Sequence, residues 1–83
     1  MNKILIKIYV PTLERDFDIY IPINKKIGVV KTLIISIINE IVELNLEEKR
    51  SVMLYDKLTG ESFDNSVYVK DSSIRNGTEL ILL

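Results

Sequence analysis

The stretch VKDSSIRNGTELILL, residues 69–83, decides how this sequence is read. Asp71 is placed to cap a brief helical turn, and Asn76-Gly77 is a strong turn dipeptide because both residues tolerate left-handed backbone. TELILL then reads as a strand. Its aliphatic run is more apolar than is usual at a sheet edge, where unpaired backbone is a liability. It is therefore expected in the middle of a sheet, and the rest of the chain has to supply its neighbours.

The first neighbour comes from the opposite end of the sequence. In KILIKIYV, residues 3–10, Ile4, Ile6, Ile8 and Val10 share one face while Lys3, Leu5, Lys7 and Tyr9 share the other. That is the period of a half-buried strand. After the loop PTLERD the alternation resumes in DFDIYIPI, with Phe17, Ile19, Ile21 and Ile23 inward against Asp16, Asp18, Tyr20 and Pro22. Two alternating runs across a short loop predict a hairpin, and Pro22, which has no N–H to donate, puts the second strand at an edge.

From Ile27 to Leu44 the period becomes helical. Ile27, Val30, Leu33, Ile34, Ile37, Ile41 and Leu44 are expected to form the core stripe. Lys31, Ile35, Ile38 and Val42 form a second stripe about 100° round, and Thr32, Ser36, Asn39 and Glu43 hold the solvated side. Lys25 and Lys26 sit where the helix dipole favours acids. The many β-branched residues lower intrinsic propensity, so tertiary packing has to hold the helix. LEEKR is a polar connection and SVMLYD a third strand with Val52 and Leu54 alternating against Met53 and Tyr55. A turn follows around Thr59-Gly60, after which Phe63 is expected to return as a short fourth strand.

One long helix after a hairpin buries most apolar surface by lying across one face of a mixed sheet. The expected fold is α+β, a four- to five-stranded mixed sheet with one main helix, the last strand parallel to the first. The whole chain, 1–83, makes one domain; at 83 residues it supports a single core that buries roughly 60 to 65 % of the unfolded surface.

This arrangement and its residues resemble the ubiquitin-like β-grasp. Val69, Asp71, Ile74, Leu80 and Leu82 stand at the steps where that fold places an apolar residue, a capping Asp, a buried Ile and a paired Leu-x-Leu. IGVVKTLI, residues 27–34, is similar to the start of the family's helix. Within the superfamily the sequence resembles the YukD/EsaB group, small bacterial ubiquitin-like proteins that accompany type VII secretion systems. The likeness lies in the length, in the Pro22-to-Lys26 approach to the helix, and in the pattern from Ile74 through Asn76-Gly77 to Leu83. The resemblance implies a cytosolic accessory or regulatory component of that machine, acting by binding other proteins. A docking module of an unrelated complex is the alternative. Ubiquitin and the sulfur carriers instead work through a flexible C-terminal Gly-Gly; the sequence after TELILL offers none, so conjugation or sulfur transfer is not expected unless a tail is missing.

Composition narrows the chemistry. The chain has no His and no Cys, which removes disulfides, thiol chemistry, the commonest general base and iron–sulfur ligation. Fourteen Ile alongside no Ala or Gln point to nucleotide bias in an AT-rich bacterial genome more than to any functional demand. A net charge of −1 gives no basic field for nucleic acid. No apolar run approaches the ~20 residues of a membrane span, so a cytoplasmic protein without direct membrane insertion is expected. Asp16 and Asp18, about 6 to 7 Å apart on one strand face, are best read as solvated acids of an edge hairpin. Glu40, Glu43, Glu47 and Glu48 are read the same way, and Gly60 and Gly77 as isolated turn glycines. No enzyme and no cofactor are expected.

Binding surfaces remain. The outward residues Leu5, Tyr9, Met53, Tyr55, Ile81 and Leu83, with Lys3 and Lys7 at the rim, form one apolar and aromatic patch if their strands are neighbours, a composition found at protein interfaces. The competing reading is scattered surface apolars. A second candidate patch is the extra helix stripe Lys31, Ile35, Ile38 and Val42, which serves as a helix-face site or homodimer contact if it is open and as core if PTLER or the Phe63 segment covers it.

Overall fold

A computed structural model describes residues 2–42 and 52–83. The elements are β1 (Lys3–Val10), β2 (Arg15–Pro22), α1 (Ile27–Val42), β3 (Leu54–Asp56), a short 3-10 turn (Val69–Asp71) and β4 (Glu79–Leu82). The strands form one sheet in the order β2-β1-β4-β3. β1 and β2 make the expected antiparallel hairpin, from Lys3 opposite Pro22 to Val10 opposite Arg15. β4 runs parallel to β1, with Lys7, Ile8 and Tyr9 opposite Glu79, Leu80 and Ile81. β3 lies antiparallel to β4 at the far edge. The aliphatic last strand is therefore central and Pro22 lies on an edge strand, as the sequence predicts.

The turn before β4 explains its own residues. The Leu5 N–H donates to the Asn76 side-chain Oδ1 at 2.8 Å, and the Gly77 N–H donates to the Leu5 carbonyl at 2.7 Å. Gly77 sits at φ +90°, where a side chain would be strained. Asn76-Gly77 thus reverses the chain and also extends the β1 ladder.

The core lies between the sheet and α1. It gathers Ile6, Ile8 and Val10 from β1, Phe17, Ile19 and Ile21 from β2, Leu54 from β3, Leu80 and Leu82 from β4, with Phe63, Val69 and Ile74 from the connecting segments. α1 contributes Ile27, Val30, Ile34, Ile35 and Ile38. Here the helix reading needs correction. Leu33, Ile37 and Ile41, expected in the core, are exposed together with Val29, while Ile35 and Ile38 of the supposed outer stripe are buried. Leu44 and Glu43 lie outside the described residues. The helix is aliphatic around most of its circumference, so periodicity defined two competing stripes, and the sheet's position chose the other one.

The start of α1 shows what fixes that choice. Its first N–H groups have no intrahelical partner, and two of them are met by backbone carbonyls of the 65–67 segment. The Ile27 N–H donates to the Val67 carbonyl at 2.8 Å and the Gly28 N–H to the Asn65 carbonyl at 2.9 Å. In return the Val69 N–H donates to Lys25 and the Lys70 N–H to Ile23. This approach favours glycine at 28, since a Cβ there would stand 3.1 Å from the Asn65 Cβ and 3.2 Å from its carbonyl oxygen, so that Asn65 would have to give way by a few tenths of an ångström. Asp71 does not cap the 3-10 turn; it is the last residue of that turn, whose N-cap position is held by Tyr68 without a side-chain cap hydrogen bond. Phe63 is buried, but its segment contributes only a single bridge, Ser62 to Tyr55, in place of a fifth strand.

Candidate functional site

The sheet face turned away from α1 is built by strand alternation. Register brings Tyr9 of β1, Ile81 of β4 and Tyr55 of β3 into one row, which Asp16 of β2 continues at the far side. Met53 and Leu83 form the next step, joined by paired backbone hydrogen bonds of 2.9 and 3.0 Å. Tyr9, Met53, Tyr55 and Ile81 are half-buried, while Leu83 is 61 % exposed. Five of the six expected residues therefore form one continuous surface. Leu5 shares the face but stands beyond Lys7, opposite Tyr20.

Lys7 separates them because it belongs to a charged row crossing the sheet. Its Nζ lies 3.2 Å from Asp18 on β2, and its other neighbour in the ladder is Glu79, which pairs with Lys57 at 3.5 Å. The hydrogen bond from Lys7 to Asp18, together with that carboxylate's charge, raises the ammonium pKa above its ordinary value. Lys57 also stands 5.6 Å over the Tyr9 ring, a cation–π contact that orients the phenol on the row. Asp18 is thus an ion-pair partner on a solvated strand. A hollow of about 400 Å³, lined by Asp56, Lys57, Leu58, Gly77, Thr78 and Glu79, adjoins the Lys57 end. An apolar and aromatic strip edged by alternating charges suits contact with a protein surface, whose interfaces enrich Tyr and Met. Among the described residues no group of three or more acids is placed to hold a metal, and no helix is long and apolar enough to cross a membrane.

The second expected patch is not a surface. Ile35 and Ile38 are 2 % and 0 % exposed, and Val42 packs against the core. Lys31 is part-buried and its ammonium donates to the Val52 carbonyl at 2.8 Å, so its stem lies along the helix flank while its head ties α1 to the approach to β3. The helix residues that do face outward are Val29, Leu33, Ile37 and Ile41, three of which the helical period places in the core. Their signal was present: four aliphatics at strict four-residue steps.

No protein-family model and no curated protein matches the sequence. Solved structures do match over the whole chain. The ubiquitin-like domain of an Arabidopsis thaliana protein superposes with a TM-score of 0.71 at 18 % identity, covering 100 % of this chain and 78 % of that one. A ubiquitin from Caldiarchaeum subterraneum gives 0.69 at 16 % identity, covering 96 % and 90 %. A ubiquitin-like protein from Trypanosoma brucei gives 0.70 at 17 % identity, covering 99 % and 94 %. At these identities the likeness is one of fold: the chain has the ubiquitin-like β-grasp fold, an architecture that carries many functions.

Proposed function

We propose that this ubiquitin-like domain is a protein-binding accessory component of a type VII secretion system, working by non-covalent contact through the sheet face. The observation that carries the binding reading is the Tyr9–Ile81–Tyr55 row with Met53 and Leu83 beside it. It is carried by three neighbouring strands of one sheet, and a site on strands keeps its shape without a partner. The secretion reading rests on the YukD/EsaB-like pattern from Ile74 to Leu83. It gains support from a chain of the ESX-5 inner membrane complex, which contains a segment of this fold: TM-score 0.71, 12 % identity, covering 100 % of this chain and 21 % of that one.

Affinity capture from the native cell tests both parts. The wild-type chain is expected to retain subunits of the secretion machine, and the pair Tyr55→Asp with Ile81→Asp to lose them while the fold stays intact by circular dichroism. Unchanged capture by the double variant would remove the sheet face as the site. Capture of subunits of an unrelated complex through the same face would make the chain a docking module there.

A further inference from the structure

The outer side of α1 carries an apolar feature that is independent of the sheet face. Val29, Leu33, Ile37 and Ile41 follow at four-residue steps and are 49, 44, 39 and 53 % exposed. Such a row is a continuous ridge of the kind that packs between the ridges of another helix. The fold does not need it, since α1 already presents Ile27, Val30, Ile34, Ile35 and Ile38 to the core. Three of the four side chains are β-branched and therefore stiff, so little rotamer freedom is lost when they are covered.

Charge identifies the occupant. α1 has no acid in its first turn and no base in its last. Instead exposed Lys25 and Lys26 precede the first turn, and exposed Glu40 stands in the last. In a single copy each charge faces the like-signed end of the helix dipole. Against an antiparallel second copy each faces the opposite sign, with Lys25 and Lys26 directed to the Glu40 end of the partner helix. A parallel copy would set lysine against lysine. Thr32 and Ser36 border the ridge and are small, and the Thr32 hydroxyl already donates to the Gly28 carbonyl at 3.2 Å, so close approach strands no hydroxyl there.

We infer that α1 is a self-association face, on which two copies pack helix against helix, antiparallel, about a two-fold axis near Leu33 and Ile37. The ridge offers on the order of a few hundred Å² per copy, well below the ~800 Å² per partner of a standard stable interface. The dimer is accordingly weak and concentration-dependent, and it leaves the sheet face on the opposite side open.

Sedimentation equilibrium of the full chain from micromolar to millimolar concentration tests this. The mass is expected to rise from monomer toward dimer, and Leu33→Glu to raise the dissociation constant at least tenfold with an unchanged melting curve. If that variant loses helicity, the charges carry the test: Lys26→Glu and Glu40→Lys should each weaken association, and the double exchange should restore it. The chain has no cysteine, so Ser36→Cys reports which face is in contact, forming a disulfide-linked dimer on oxidation where Asp18→Cys does not. A monomer mass at every concentration overturns the inference. So does a dimer that survives Leu33→Glu and is lost with Tyr55→Asp, which would put the contact on the sheet.

Discussion

The two outward faces of this molecule, one on the sheet and one on the helix, are both apolar but are made differently. On the sheet, each exposed side chain leans on cross-strand neighbours, so Tyr9, Tyr55 and Ile81 are half-covered before any partner arrives, and a row of alternating charges limits the strip at Lys7. On the helix, Val29, Leu33, Ile37 and Ile41 stand along a ridge bordered by small hydroxyls. A pleated surface shields its own apolar residues through cross-strand pairs, whereas a helix ridge has only its i±4 neighbours. Exposed aliphatics therefore say more about a missing partner on the helix than on the sheet.

The largest test of this comparison concerns which side of α1 is core. Ile38→Ala should cost about 3 kcal/mol in urea unfolding, a transfer loss plus a cavity. Its sequence neighbour Ile37→Ala should fall within about 0.5 kcal/mol, as a surface change does. Equal costs would mean that the helix is rotated from its described orientation. On the sheet side, the expected result is loss of partner capture in the Tyr55→Asp and Ile81→Asp double variant without loss of folding, and a matching loss with Leu33→Glu would show that the faces do not act separately.

A smaller effect is expected where the helix is fastened. Gly→Ala inside a helix ordinarily gains about 1 kcal/mol. At Gly28 the new methyl would press on Asn65 Cβ and the carbonyl oxygen that accepts the Gly28 N–H. We expect a net loss of about 1 kcal/mol instead, and a gain would show that the 65–69 segment yields freely.

The smallest effect is one of pH. Asp64, at the start of that segment, accepts hydrogen bonds from the Ser66 N–H and hydroxyl at 2.9 and 2.8 Å, which hold its carboxyl below the usual carboxylate range. A depressed folded-state pKa contributes stability that is present above the unfolded-state value and fades as pH falls through the folded one. Asp64→Asn should lower the melting temperature slightly at neutral pH and converge with the wild type in acid, which flattens the acid limb of the profile.

The strands were legible in the sequence because period two leaves one choice of face: once Ile6 and Ile8 go inward, Lys7 and Tyr9 cannot. The same rule placed five of the six sheet-face residues together. The sixth, Leu5, was misjudged as contiguous because the ion pairs that part it from Tyr9 depend on strand order across the sheet. The helix was legible in its existence and not in its rotation. With aliphatics at Val29, Val30, Leu33, Ile34, Ile35, Ile37, Ile38 and Ile41, the pattern fits two stripes almost equally, and Gly28's approach to Asn65, a contact between residues distant in sequence, fixes the outcome. The backbone carbonyls that cap α1 leave no trace in residue identity, so in the sequence its start shows only Lys25 and Lys26 where the dipole favours acids.

The parallel pairing of β1 with β4 also governs how the molecule forms. Lys7–Tyr9 meet Glu79–Ile81 across nearly the whole chain, and closing so long a loop costs entropy before any contact compensates. The β1–β2 hairpin and α1 involve short separations and can appear early. The sheet becomes whole only when β4 inserts between β1 and β3, which makes this insertion the expected rate-limiting event. Until then β1 has a free edge, and a nascent chain would expose Ile6 and Ile8 to any other unpaired strand it met.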